Sequence, residues 1–96
     1  MDTDDLSDEA YAIIADAHRT CGLLGAELAV AGSKARSEPE FLDCMAASLR
    51  KAAASAEDLW EAYDGMSSAS AFRRYCRSLS RRVRDLRSRT ETQDRT

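Results

Sequence analysis

The sequence predicts an all-α domain, a three-helix up-down-up bundle, on three observations. Apolar residues recur at spacings of three and four through most of the chain. Apolar β-branched residues, which favour strands, are confined to Ile13, Ile14, Val30 and Val83. Helix-starting and helix-stopping residues stand at two joints that would cut the chain into three rods. Its 96 residues make one domain, expected over 1–88. A domain of this size has a thin core, which assembly with a second copy commonly relieves.

The first helix is expected over about 7–31. Ser7 can cap it, and Asp8 and Glu9 suit the positive end of its dipole. Leu6, Ala10, Ile13, Ala17, Leu24, Leu28 and Ala31 fall on one stripe. Tyr11, Ile14, His18, Cys21 and Gly25 form a second, on which His18 reads as a buried, hydrogen-bonded histidine. Gly22 and Gly25 each cost about 1 kcal/mol against Ala in a helix interior. They are expected at a close helix approach or a kink.

The second helix is expected over about 39–64. Ser37-Glu38-Pro39-Glu40 combines a capping box with a first-turn proline. Leu42, Met45, Leu49, Ala52, Ala56, Leu59 and Tyr63 continue as a heptad seam. Gly65 is the expected left-handed stop. The third helix is expected over about 70–88, capped by one of Ser67, Ser68 or Ser70 and buried through Phe72, Cys76, Leu79, Val83 and Leu86. Residues 89–96 are polar or charged and read as a flexible tail.

Short connections make neighbouring rods antiparallel. Three straight rods would then gather Tyr11, Trp60, Tyr63, Phe72 and Tyr75 at one end, as an aromatic plug of the core.

Composition excludes several classes. No run approaches the roughly 18 apolar residues of a membrane span, and no charged-then-apolar leader follows Met1. Three cysteines, an odd number, suit free thiols in a reducing compartment. The expectation is a cytoplasmic protein.

Nothing in the sequence assembles a reaction centre. His18 and Cys21 are spaced for two metal ligands, but a structural site usually needs four. At about 1.5 Å per residue, straight rods would put Cys21, Cys44 and Cys76 about 22, 30 and 9 Å from the aromatic end. No oxyanion donors accompany Cys21, no Glu-x-x-His pair exists, and no P-loop lysine follows Gly22 or Gly25. No enzyme activity, cofactor or metal is expected.

Two features ask for a partner. The stretch CGLLGAELAVA carries one charge, Glu27, and directs Leu23, Ala26 and Val30 away from the Leu24–Leu28 core direction. The net charge of −3 also divides unevenly. Residues 1–66 carry five basic and fourteen acidic side chains, whereas residues 67–96 carry nine arginines and three acids. Glu57, Asp58, Glu61 and Asp64 lie at the negative end of the second helix dipole, and Arg73, Arg74 and Arg77 at the positive end of the third. Mutual ion pairing between those ends is the plain explanation. Arg73, Arg77, Arg81 and Arg84 nevertheless share an arc of about 80° at 100° per residue.

The functional expectation is a non-enzymatic protein–protein interaction module, working as a homodimer. Its contact residues would be Leu23, Ala26, Val30, Arg73, Arg74, Arg77, Arg81, Arg84, Glu57, Asp58 and Glu61. Small acidic helical proteins of this kind include phage- and mobile-element inhibitors, anti-CRISPR proteins among them, that act by occluding a partner's surface. The alternative is nucleic-acid binding by the arginine-rich third helix, neutralising about four or five phosphates.

Overall fold

Five α-helical segments carry the fold: α1 (Asp8–Thr20), α2 (Gly22–Ala31), α3 (Glu38–Ala54), α4 (Ala56–Leu59) and α5 (Ala69–Asp94). The structure is a computed structural model that describes the backbone of residues 1–94 and the side chains of residues 1–90. Among the described residues there is no strand, and single 3-10 turns occupy Thr3–Asp5 and Trp60–Ala62.

The expected first helix is two helices. Cys21 is extended (φ −151°, ψ 101°), so the helical ladder stops at Thr20 and restarts at Gly22. The break is stabilised from far along the chain. Gly22 and Leu23 donate their N–H groups to the Asp64 carboxylate at 3.0 and 3.2 Å, which satisfies donors that a new helix start leaves open. Gly25 lets α2 lie close to the last turn of α1, because a Cβ there would sit 2.6 Å from the His18 ring.

Ion pairs between the rods report the helix directions. Glu9 with Arg89, and Asp16 with Arg82, make α1 antiparallel to α5. Asp43 with Arg87, and Glu57 with Arg73, do the same for α3–α4 and α5. Tyr63 donates to Glu27 at 2.6 Å, Asp64 meets Gly22 and Leu23 at the start of α2, and Phe41 near the start of α3 packs on Gly32 just past the end of α2, so α2 opposes α3. The four rods α1, α2, α3–α4 and α5 therefore alternate in direction. This corrects the arrangement drawn for three straight rods. The start of α1 lies beside the start of α3, where Ser7 N–H donates to Glu38, and not beside Tyr63 and Phe72. Tyr11 accordingly stays outside the aromatic group and is 49% exposed.

The second expected helix also breaks. The Ser55 N–H is shared between the Lys51 and Ala52 carbonyls, and Ser55 leaves helical geometry (φ −105°, ψ 18°). The tighter turn at Trp60–Ala62 follows. The heptad phase slips across these changes, and Leu59, expected in the core, faces solvent. Gly65 has the left-handed conformation expected of it (φ +80°).

Helix α5 starts under a Ser68 cap, whose Oγ accepts from Ala71 N–H at 3.1 Å. It continues to Asp94 instead of fraying after residue 88. Arg89 is tied to Glu9 at 2.9 Å, and Thr90 Oγ1 donates to the Leu86 carbonyl. The last two residues of the expected tail lie outside the described residues. At about 1.5 Å per residue α5 spans nearly 40 Å, which accounts for the long axis of a 43 × 21 × 19 Å molecule.

One core joins all the rods. Ile13 and Ile14, Leu24 and Leu28, Leu42, Met45 and Leu49, and Phe72, Leu79 and Val83 are almost fully buried. Phe41, off the expected seam, is fully buried against Gly32, where a Cβ would come 2.4 Å from its ring.

Candidate functional site

Helix α3 separates two surface depressions. One flank, formed with α2 and α4, is an apolar groove of about 600 Å³. The other, formed with α5, is a cleft of about 490 Å³ rimmed by arginines.

The apolar groove exists because α2 is apolar apart from Glu27 and the bundle covers only part of it. Leu24, Gly25 and Leu28 are buried. Leu23, Ala26 and Val30 form a ridge on the outer side, with Leu23 41% and Val30 70% exposed. Leu59, 36% exposed, faces them across the groove, and Lys51 stands on its α3 rim. The groove end is fixed by Tyr63, whose ring packs on Phe72 with centroids 4.5 Å apart. Burial and the hydrogen bond to Glu27 push the Tyr63 hydroxyl pKa well above the usual phenol value.

The cleft collects Arg73, Arg77, Arg81 and Arg84 from α5 with Arg50 from α3, over a floor of small residues that includes Ala46 and Ala53. Arg50 is the residue that sequence reasoning missed. Asp43 faces Arg87 and Glu57 faces Arg73, a register that sets Arg50 level with Ser80. Helix periodicity alone shows no such alignment. Arg74 is exposed and is not among the residues that line the cleft.

The expected pairing between the acidic end of the second helix and the start of the third reduces to one contact. Arg73 meets Glu57 at 3.2 Å. Asp58 and Glu61 are exposed and make no ion pair among the described residues.

The remaining polar candidates do not converge. His18 is exposed, contrary to the buried position expected from its stripe: the reversal at Cys21 brings Gly25 against its ring but does not enclose it. Cys21 and Cys76 are buried free thiols and Cys44 is half-buried. Burial pushes the Cys76 pKa up to about 11 and raises that of Cys21, which disfavours thiolates at both. Among the described residues, no three His, Cys, Asp or Glu side chains gather as metal ligands. No helix there is long and apolar enough to cross a membrane.

No protein-family model matches the chain, and neither the curated proteins nor the solved structures contain a significant match to it.

Proposed function

We propose that the chain is a non-enzymatic protein-interaction module whose docking surface is the α2–α3–α4 groove. The observation that carries this is the joint exposure of Leu23, Val30 and Leu59 around one depression. Single exposed apolar residues are ordinary, whereas a contiguous apolar depression marks an interaction surface.

The occupant that fits best is the same surface of a second copy. Leu23, Ala26 and Val30 are spaced by three and four residues, so the ridge is nearly symmetric about Ala26. Two such ridges laid antiparallel would set Leu23 of each copy against Val30 of the other, with the small Ala26 residues at the two-fold axis. That is the self-complementary contact a two-fold dimer requires.

Light scattering tests the reading. The chain is expected at dimer mass at micromolar concentration. Leu23→Asp with Val30→Asp should give a monomer with an unchanged circular-dichroism spectrum. A wild-type chain that stays monomeric at about 100 µM, a concentration at which an association free energy of about −5.5 kcal/mol already gives substantial dimer, would count against it.

A further inference from the structure

Apart from exposed Arg74, the arginines of α5 divide into two groups. Arg82, Arg87 and Arg89 each reach a carboxylate on α1 or α3: Asp16, Asp43 and Glu9. The arginines around the α3–α5 cleft do not. Arg73 meets Glu57 at the cleft's end, and Arg50, Arg77, Arg81 and Arg84 make no ion pair among the described residues. The other α3 residues bordering them are Ala46, Ala53 and Ala54, so no carboxylate among the described residues lines the cleft. A net-acidic chain with seventeen acidic side chains thus leaves four arginines around one cleft without an ion pair among the described residues. Like charges at this spacing repel, and a bound anion would relieve that repulsion.

The shape narrows the anion. Arg73, Arg77, Arg81 and Arg84 climb α5 in steps of about 4.5–6 Å, over about 16 Å in all. A regular track of forks suits a repeated phosphate, which Arg can grip with two parallel hydrogen bonds. The row follows one helix, with Arg50 facing it from α3, so the cleft presents a single phosphate track. No aromatic side chain lines it, so it lacks the platforms on which bases stack. Between the arginines it is lined by alanine methyls and Ser80, with no large apolar residue to form a pocket for an anchoring peptide side chain.

The geometry points to a single-stranded nucleic-acid site in the α3–α5 cleft, in which Arg50, Arg77, Arg81 and Arg84 hold consecutive phosphates and the bases face solvent. Binding is sequence-independent and salt-sensitive. With about three or four phosphates neutralised, affinity for a single strand falls about 20- to 50-fold between 50 and 200 mM salt.

Fluorescence anisotropy with a labelled fifteen-nucleotide oligothymidine, using the full chain, tests this site. Expected are saturable binding at 50 mM salt and the stated salt dependence. Arg50→Gln with Arg81→Gln and Arg84→Gln should lower affinity at least tenfold, with an unchanged circular-dichroism spectrum. Arg82→Gln with Arg89→Gln, which removes the same charge type from the paired set, should change affinity less than threefold. No binding at 50 mM salt overturns the proposal. So does equal loss in both variants, which would report net charge alone, or equal competition by a DNA duplex or a poly-glutamate peptide. The groove variant Leu23→Asp with Val30→Asp should bind the oligonucleotide as wild type does, which keeps this site distinct from the protein-docking surface.

Discussion

The carboxylate of Asp64 caps a helix that begins 42 residues earlier in the chain, accepting the Gly22 N–H at 3.0 Å. A helix start normally borrows its acceptor from the residue just before it. Cys21 occupies that position and makes no such side-chain bond, so the reversal between α1 and α2 depends on a distant loop.

Asp64→Ala should therefore lower the thermal midpoint at neutral pH by several degrees and loosen the α1–α2 junction. The Gly22 and Leu23 N–H groups hold the Asp64 pKa below its usual value. The charged form is favoured in the fold, so its contribution is present above about pH 4 and is lost as the pH falls through the lowered value. Melts at pH 7 and at pH 2.5 should show the wild type and Asp64→Ala converging in acid.

The same junction distinguishes two glycines. At Gly65 the backbone is left-handed, and a Cβ would lie 2.2 Å from the Thr20 carbonyl oxygen. Gly65→Ala should cost at least about 1–2 kcal/mol. At Gly22 a Cβ would meet nothing nearer than Asp64 Oδ2 at 3.5 Å. Gly22→Ala should be neutral or stabilise by up to about 1 kcal/mol through the unfolded chain. Urea denaturation of the two variants checks both signs.

The three thiols should separate by reactivity. A disulfide reagent should modify half-buried Cys44 quickly, and buried Cys21 and Cys76 only as the fold opens. Cys76 rises from 9.0 to about 11, so the fold favours its neutral form. That contribution is full below pH 9 and is lost between 9 and about 11. Cys76→Ala should flatten the fall in stability over that interval in pH-dependent urea titrations.

Paired and unpaired arginines should respond oppositely. Arg82→Gln breaks the contact with Asp16 and should lower stability by up to about 1 kcal/mol, as exposed pairs do. Arg81→Gln or Arg84→Gln removes a charge from a like-charged cluster and should leave the midpoint unchanged or raise it. Thermal melts at low salt, where screening is weakest, give the clearest contrast.

Much of this was legible in the sequence. The helical class followed from periodicity, the cap at Ser37 from its chemistry, and the exposure of Leu23 and Val30 from their angle to Leu24 and Leu28. The reversal at Cys21 left only a trace, the two glycines, because its cap comes from Asp64 and a local pattern cannot show a nonlocal acceptor. Losing that turn misplaced Tyr11 and His18. The Arg row was visible along α5, but the cleft was not, since Arg50 joins it only through the register of α3 against α5. Leu59 illustrates the limit of heptad counting: it keeps its spacing on paper and loses its face where the helix tightens.

Site-directed crosslinking tests the docking claim most directly. In a Cys44→Ser background, Ala26→Cys would place a thiol at the expected two-fold axis, and Ala12→Cys would place one on exposed α1, away from the groove. The account predicts rapid oxidation of the Ala26→Cys chain to a covalent dimer, since thiols facing across the axis can reach disulfide geometry, while the Ala12→Cys chain stays monomeric. Equal rates for the two, or an Ala26→Cys chain that remains a monomer under oxidant, would contradict it.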